Sequence, residues 1–372
     1  MASRRLARTG LEESLVHHLS ARNINSAKEL LDNTPLDLSE VLDCTEEEAS
    51  RILSRVACAV CPEAHTVAQM WARRALEAHH LPFGLRVLDE ALRGGVPCGT
   101  VTELVGGAGA GKTQLCTQLA IACQLPVVEG GLGGGCVYVD TEARFSGARL
   151  VEIARARWPE RFASELQAEL LTRGVTVFTP STSSELLQRL EGLEAVIIER
   201  AAKLVIVDSV AALVRAEYGR ERLVERQALL GEQASRLKQL AEAFRIPVVV
   251  TNQVTTRQQS TGSSRLGGFT PAHPSERAGD AHLAAALGTK WAHDVNLRIA
   301  LETGEHGQRC LTISKSSAAA ALSFPFDIGA GGVFLTAAPY PAAQQAEGAI
   351  AGGATTANLM PGGGYAAAFF SP

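Results

Sequence analysis

Short apolar runs alternate with amphipathic runs through the larger part of the chain, from Phe83 to about Thr336. The apolar runs are four to seven residues long and rich in Val and Ile, which predicts buried strands, and the runs between them have helical spacing. The predicted strands are Val101–Val105, Cys136–Asp140, Val175–Phe178, Lys203–Asp208, Pro247–Asn252, Val295–Leu301 and Cys310–Ser314. This alternation predicts an α/β fold: a mostly parallel twisted sheet with helices on both faces.

The first 60 residues have a different pattern, in which short helical segments follow one another without strand-like runs. The predicted helices are Leu11–Leu19, Ser26–Leu31, Asp37–Val41 and Thr45–Cys58. Thr45 precedes three glutamates, so a hydroxyl cap and acidic residues lie at the positive end of the helix dipole. These segments predict a small all-helical N-terminal domain.

Four regions follow from these patterns and from composition. We predict a helical domain over 1–60, a linker over 61–82, an α/β core over 83–337 and a disordered tail over 338–372. The tail is rich in Ala, Gly and Pro, and its charge is limited to Glu347. Such a composition cannot bury enough apolar surface to form a core.

Composition adds constraints on the class of protein. With 46% hydrophobic and 20% charged residues the chain is globular, and no apolar run is long enough for a membrane span. The basic N-terminus lacks the apolar stretch of a secretory signal, which favours a nucleocytoplasmic protein. The net charge of −4 leaves only local patches for nucleic-acid contact. The eight cysteines are expected to be reduced thiols, although a redox or half-metal role stays open for Cys58 and Cys61.

The most specific motif is Gly106–Thr113, which fits GxxxxGK[ST] and lies between a predicted strand and a predicted helix. Backbone amides of such a loop cradle phosphates, Lys112 neutralises their charge, and the Thr113 hydroxyl is placed to bind Mg²⁺. A glycine-rich turn that matches by chance is the alternative. The predicted ATP contacts are Gly106, Gly107, Ala108, Gly109, Ala110, Gly111, Lys112, Thr113 and Gln114.

Three further polar residues lie at the ends of predicted strands. Asp208 ends the Lys203–Asp208 strand and is expected to hold Mg²⁺ beside the phosphate loop. Glu142 follows Cys136–Asp140 and is the candidate general base, with a solvent-facing loop acid as the alternative. Gln253 follows Pro247–Asn252 and is expected to sense the γ-phosphate, unless it only caps the strand. Lys112, Glu142 and Gln253 are therefore the predicted catalytic residues.

The order of these motifs along the chain carries more information than any one of them. The phosphate loop comes first, then the strands that end near Glu142, Asp208 and Gln253. Extra strands therefore separate the phosphate loop from Asp208. This is the layout of motor-like ATPases of the RecA class, and small-molecule kinases usually place the two motifs closer together.

With these motifs the chain resembles the RecA-like strand-exchange recombinases of eukaryotes and archaea and their paralogues, over about residues 5 to 336. The resemblance extends to Leu88–Gly99, Tyr138–Glu142 and Thr251–Val254. Details such as Gly130-Gly131-Leu132 and Trp291-Ala292-His293 point to the B-type paralogues within this family. The resemblance implies ATP and Mg²⁺ as cofactors and a helix-hairpin-helix-type N-terminal domain.

The resemblance also implies roles for particular side chains. Arg149 is at the position that stacks on adenine, and His293 is at a position that contacts a neighbouring subunit's nucleotide. Asp43 and Cys44 stand where the helical hairpin usually carries glycine, so we expect this domain to dock on the core or on a partner rather than on DNA.

Two segments correspond to the loops that line the DNA channel in this family. The first, about 215–227, carries Arg215 and Arg220 among glutamates, a pattern equally typical of a salt-bridged helix. The second, about 255–283, is a long polar segment that carries Arg257 and Arg265. These four arginines are the predicted DNA contacts.

The linker lacks the Phe-x-x-Ala motif with which self-polymerising recombinases fill a neighbour's pocket. We therefore expect a hetero-oligomer with other recombinase paralogues. The expected function is that of a nuclear, ATP-binding accessory subunit with weak, DNA-stimulated ATPase activity. We expect it to bind single-stranded or branched DNA and to assist the main recombinase filament in homologous recombination and double-strand break repair. A self-assembling recombinase and a nucleotide-stabilised scaffold remain alternatives.

Overall fold

The structure is a computed structural model that describes residues 6–61, 64–74, 80–253, 289–304 and 306–342. The chain divides into two compact units, Met1–Glu77 and Ala78–Pro372. Their boundary lies inside the segment predicted as a linker, 61–82. Each unit is described by itself below.

The first unit is helical, as the sequence predicts. Its helices are α1 (Glu13–Ser20), α2 (Ala27–Leu31), α3 (Pro35–Leu42), α4 (Glu46–Val60) and α5 (Val67–Arg74). Hydroxyl caps with a reciprocal acidic partner start α2, α3 and α4, which explains where these helices begin. Leu19, Leu30, Leu38 and Val56 form a common core.

The hairpin between α3 and α4 forms without the glycine that is usual there. Asp43 takes a left-handed conformation, with φ of 51°, and its backbone amide closes the last turn of α3. Aspartate tolerates this region better than most residues because its short side chain is able to hydrogen-bond locally. Replacement of the glycine therefore leaves the turn intact but puts a carboxylate on it.

The second unit contains the sheet. Its helices are α6 (Arg86–Ala91), α7 (Lys112–Gln124), α8 (Gly147–Arg157), α9 (Pro159–Phe162), α10 (Glu165–Arg173), α11 (Ser183–Glu199), α12 (Ala212–Glu217), α13 (Leu223–Phe244) and α14 (Thr289–Asp294). Its strands are β1 (His80–Leu81), β2 (Val96–Pro97), β3 (Val101–Gly106), β4 (Gly135–Asp140), β5 (Val175–Phe178), β6 (Ala202–Asp208), β7 (Val248–Gln253), β8 (Leu297–Thr303), β9 (Arg309–Lys315), β10 (Leu322–Gly329), β11 (Gly332–Leu335) and β12 (Tyr340–Pro341).

The large sheet has the order β11-β10-β9-β8-β3-β7-β6-β4-β5. Strands from β8 to β5 in this order pair in parallel, whereas β9, β10 and β11 extend the sheet by antiparallel pairs. The fold class predicted from the sequence is confirmed: the sheet is mostly parallel, and a separate helical unit precedes it.

Buried side chains on both faces of the sheet explain its continuous apolar runs. Along β6, Leu204 and Ile206 belong to the core that contains α7, while Val205 and Val207 belong to the core that contains α11 and α13. Because successive side chains of a strand point to opposite faces, a strand that is covered on both faces, such as β6, is apolar at consecutive positions.

The carboxyl-terminal part of the sheet differs from the sequence-based expectation in two ways. The hairpin β10–β11 was not among the predicted strands. Tyr340 and Pro341 pair with β10, so the ordered structure continues into the segment 338–372 that we predicted to be disordered. Residues 343–372 lie outside the described residues. Among the described residues, no helix is both long and apolar enough to cross a membrane.

Candidate functional site

The carboxyl ends of four parallel strands bring the predicted site residues to one edge of the sheet. β7 lies between β3, which leads into the phosphate loop, and β6, which ends at Asp208. β4 lies on the other side of β6 and leads to Glu142. β7, which follows β6 in the chain, therefore separates the phosphate-loop strand from the Asp208 strand within the sheet. This sheet edge is where α/β proteins bind ligands.

Two glycines are required by the shape of the phosphate loop. A β-carbon at Gly106 would lie 2.3 Å from the main-chain oxygen of Leu301, so only glycine permits β8 to pass this close. Gly111 has a φ of 106°, which favours glycine, and caps α7. The loop therefore turns directly into α7 with the amides of the helix N-terminus at the site.

Lys112 begins α7 and is largely buried. Its ammonium group donates to the carbonyl oxygens of Gly106 and Gly107, each at 2.8 Å. Burial lowers the pKa of Lys112, and the carboxylates of Asp208 and Glu142 partly oppose that effect. A cation held by the loop's own backbone beside two acids is well placed to meet the phosphates of a nucleotide.

Asp208 is surrounded by hydroxyl groups. Thr113 Oγ1 donates to Asp208 Oδ2 at 2.7 Å, Tyr138 donates to the same oxygen at 2.8 Å, and Thr251 donates to Oδ1. Burial is the main reason that the pKa of Tyr138 is raised well above its usual range, so the phenol stays a donor. Hard oxygen donors from Thr113 and Asp208 suit Mg²⁺, so these residues fit the metal that the phosphate loop implies.

Glu142 lies close to Gln253, as their shared sheet edge predicts. The Gln253 side-chain amide donates to both carboxylate oxygens of Glu142, at 2.7 and 2.8 Å. Ser209 Oγ donates to Glu142 Oε1 at 3.0 Å, and Arg144 Nε lies 3.2 Å from Oε2. The carboxylate is thus held from several sides at the point where β4, β6 and β7 end.

Asp140 fixes the turn that carries Glu142. This buried carboxylate accepts from the backbone amides of Glu142, at 3.2 Å, and Phe145, at 2.7 Å. The ring of Phe145 then packs on Tyr138, with 4.6 Å between ring centroids. The position of Glu142 is therefore set by the side chain of Asp140, which holds the backbone of the turn.

Sequence reasoning missed some polar residues of the site. Tyr138, Thr251 and Ser209 were not predicted as site residues, yet each donates to Asp208 or Glu142. A usable signal was present for Thr251, since it is a polar residue at the end of the apolar run Val248-Val249-Val250. Nothing in the sequence shows that the Tyr138 hydroxyl reaches a strand neighbour.

Arg149 lies on α8 and contacts both the phosphate-loop helix and the β10–β11 turn. Its Nε donates to Gln114 Oε1 at 2.8 Å, and an Nη donates to the main-chain oxygen of Gly329 at 2.6 Å. Arg149 also forms an ion pair with Glu152 at 2.8 Å. Its guanidinium is therefore held at the first turn of α7, next to Lys112 and Thr113, where a planar group can flank a bound base.

The structure describes the side chain of one of the arginines predicted to contact DNA. Arg215 is half-buried on α12, and an Nη donates to Asn252 Oδ1 at 2.8 Å and to the main-chain oxygen of Gln253. It lies against the end of β7 rather than on an open face. The side chain of Arg220, and all of Arg257 and Arg265, lie outside the described residues, while His293 is exposed on α14.

Comparison with known proteins matches a protein family model to each of the two units. The Rad51 family model matches residues 74–335, and a model described as XRCC3/RpoA-like, helix-hairpin-helix domain matches residues 6–60. Among similar proteins, the human DNA repair protein RAD51 homolog 2 is 39% identical over 356 residues, 93% of each chain. The mouse protein of that name is 40% identical over 90% of this chain and 98% of its own, and the Arabidopsis thaliana protein is 35% identical over 90% and 91%.

Proposed function

This chain belongs to the Rad51 family, and we propose that it is an ATP-binding accessory subunit in homologous recombination and double-strand break repair. Its similarity to proteins named RAD51 homolog 2 covers most of the chain and supports a paralogue's role in recombination repair. The observation that carries the ATP part is the contact of Thr113 with Asp208 beside Lys112, at the edge where Glu142 meets Gln253. The proposed location is the nucleus, which the DNA repair role of the relatives supports.

The nucleotide-binding part of the proposal assigns each group a task. The phosphate loop and the first turn of α7 donate amides to the phosphates, and Lys112 neutralises their charge. Thr113 and Asp208 would hold Mg²⁺, and the ion would supply positive charge to the phosphates. Arg149 flanks the adenine from α8.

Hydrolysis is assigned to the pair of Glu142 and Gln253. Glu142 orients a water molecule and accepts its proton once its carboxylate is released by the Gln253 amide, which donates to both carboxylate oxygens in this structure. The Gln253 amide donates to both carboxylate oxygens of Glu142, so Glu142 and the γ-phosphate compete for this one donor. We therefore propose that turnover is weak until the phosphate or DNA draws Gln253 away from Glu142.

Partners of the proposed complex are other recombinase paralogues, the main recombinase filament and single-stranded or branched DNA. The missing Phe-x-x-Ala motif in the linker supports hetero-oligomers over self-polymers. In that role nucleotide binding would stabilise a subunit interface, with DNA contacts from the segments near Arg220, Arg257 and Arg265.

Copurification tests the proposal directly. The tagged full-length chain is isolated from its host with magnesium and ATP, and the bound proteins are identified by mass spectrometry. We expect recombinase paralogues with the wild-type chain, and their loss with Lys112→Ala. Lys203→Ala, an exposed lysine on β6, is the matched control and should retain them. Absence of such partners from the wild-type sample would contradict the accessory-subunit assignment.

Two further measurements separate the alternatives. Sedimentation of the purified chain with single-stranded DNA and ATP should give small complexes, and long homopolymers would show instead a self-assembling recombinase. Glu142→Gln should retain ATP binding and lose turnover. If repair in cells were intact with Glu142→Gln but lost with Lys112→Ala, the chain would be a nucleotide-stabilised scaffold.

A further inference from the structure

Arg215 links the catalytic pair to a buried polar cluster. The same Nη atom of Arg215 donates to the side chain of Asn252 and to the main-chain oxygen of Gln253. Gln253 in turn donates its side-chain amide to Glu142. One residue, Gln253, therefore contacts Glu142 through its side chain and Arg215 through its backbone.

Asn252 extends these contacts into the sheet. Its side-chain amide donates to Glu103 Oε1 at 3.0 Å. The indole of Trp291 donates to the same oxygen at 3.0 Å, and Arg298 Nε donates to Glu103 Oε2 at 2.7 Å. All four side chains are buried. We call this group, Glu103, Asn252, Trp291 and Arg298, the Glu103 cluster. The Glu103 cluster holds the side chain of Asn252 in place, and this side chain accepts the hydrogen bond from Arg215.

The helix that carries Arg215 is attached at a second point. Glu217, at the end of α12, accepts from the backbone amide of Ser183 at 2.7 Å and from the Ser183 hydroxyl. The chain continues from α12 into the Arg220–Arg222 turn and α13. The first segment that resembles a DNA-channel loop is thus tied to the end of β7 by Arg215 and to the start of α11 by Glu217.

Burial argues against a phosphate contact for Arg215. Desolvation lowers the pKa of Arg215, with Arg226 adding to the effect and Glu142 opposing it. Withdrawal of the guanidinium toward DNA would leave Asn252 Oδ1 and the Gln253 carbonyl without this donor. Loss of a charged hydrogen bond inside a protein is unfavourable, because the acceptors that remain are no longer paired.

We propose that Arg215 is a positioning residue that couples the Glu142–Gln253 pair to the 212–222 segment, and that it is not a DNA ligand. This inference rests on the proposed ATP site. When the side-chain amide of Gln253 leaves Glu142, the residue moves and displaces its main-chain carbonyl, which accepts from Arg215. Because Arg215 lies on α12, this helix moves with the carbonyl. The segment after α12 thereby responds to the nucleotide.

Hydrogen–deuterium exchange of the full chain tests this coupling, with magnesium and a non-hydrolysable ATP analogue as the probe. In the wild-type chain we expect protection of 106–116 and a change in exchange of 212–222. In Arg215→Gln the protection of 106–116 should persist, with analogue affinity within about twofold, and the change in 212–222 should disappear. Arg222→Gln, an exposed arginine paired with Glu225, is the control and should keep both responses.

Failure of the coupling through Arg215 and failure of the ATP site give different results in this experiment. A change in 212–222 that survives Arg215→Gln, or that is missing from the wild-type chain while 106–116 is protected, overturns the coupling. Lack of protection at 106–116 in the wild-type chain contradicts the ATP site itself and with it the coupling.

Salt dependence of DNA binding tests the second half of the proposal. The wild-type full-length chain and its Arg215→Gln variant are titrated with a fluorescent oligo-dT at several salt concentrations. If Arg215 contacted a phosphate, its loss would reduce the slope of log affinity against log salt by about 0.7. We expect an unchanged slope with Arg215→Gln. A reduction of that size would identify Arg215 as a DNA ligand and overturn the proposal.

Discussion

Two buried carboxylates of the same sheet have different surroundings. Asp208, at the end of β6, accepts from the hydroxyls of Thr113, Tyr138 and Thr251. Glu103, in the middle of β3, accepts from the guanidinium of Arg298 and from two neutral donors. Asp208 lies at the sheet edge beside the phosphate loop, whereas Glu103 is enclosed by β7, β8 and α14.

The difference lies in the charge that each site retains. Hydroxyl donors satisfy the lone pairs of Asp208 but leave its negative charge available to a cation. Arg298 neutralises Glu103, so that cluster has no charge left for a ligand and serves the structure. In this sheet the acid with hydroxyl partners fits the proposed Mg²⁺ site, and the acid with a guanidinium partner forms a structural ion pair.

The largest expected effect is the loss of the Glu103 charge. Glu103→Gln leaves Arg298 buried without its counter-ion, and removal of one partner of a buried pair typically costs about 3–5 kcal/mol. Urea unfolding followed by tryptophan fluorescence measures the loss. Glu302→Gln, an exposed position on β8, should change stability by less than about 0.5 kcal/mol. Equal stability of the two variants would break the comparison.

Asp208→Asn should have a large effect on ATP turnover and a small effect on stability. Removal of the charge lowers ATP turnover by about 10²–10³-fold, the usual cost of one electrostatic group at a reacting phosphate or carbonyl. The unfolding free energy should fall by no more than about 1 kcal/mol, since the hydroxyl donors keep an acceptor. Steady-state phosphate release and urea unfolding give the two values, with the exposed Asp327→Asn as control. A stability loss as large as that of Glu103→Gln would contradict the distinction.

Asp89 sharpens the comparison with a carboxylate that has mainly backbone partners. It accepts from the amides of Phe83 and Leu85, and burial raises its pKa from 3.8 to about 6. The folded chain therefore binds this proton more tightly than the unfolded chain does. The contribution of Asp89 to stability is complete below about pH 4 and is lost as the pH rises to about 6.

The size of the effect follows from that shift. About two pKa units correspond to about 3 kcal/mol of unfolding free energy between about pH 4 and pH 6. Urea unfolding across this range should show a slope that Asp89→Asn removes. A slope retained in Asp89→Asn would assign the proton to another group.

The smallest expected effect concerns the shell of Asp208. Tyr138→Phe removes one hydroxyl donor, and loss of a group that orients a metal ligand typically weakens metal binding about tenfold. The magnesium concentration for half-maximal turnover should rise by that factor, while Tyr218→Phe on the α12 side should leave it unchanged. No change with Tyr138→Phe would show that the remaining hydroxyls suffice to orient Asp208.

Much of the fold and part of the site were predictable for local reasons. The phosphate loop is a contiguous motif, and continuous apolar runs identify parallel strands wherever both faces of a sheet are covered. Asp208, Glu142 and Gln253 follow such runs, so their shared edge was predictable. The hairpin β10–β11 was not, because its sequence mixes Pro325, Asp327 and glycines with apolar residues. The role predicted for Arg215 depended on the resemblance of its segment to a DNA-channel loop, and the structure places this side chain against β7.

The sequence by itself determined the α/β fold, the nucleotide motif and the strands whose ends form the site. Each of these depends on the spacing of residues that are close together in the chain. Tertiary structure decided which partner each charged group has. Glu103 and Arg298 are far apart in sequence and meet only because β3 pairs with β8. Asp208 receives hydroxyls from α7, β4 and β7. Whether a buried acid binds metal or stabilises the sheet depends on these neighbours, and strand order, not sequence spacing, selects them.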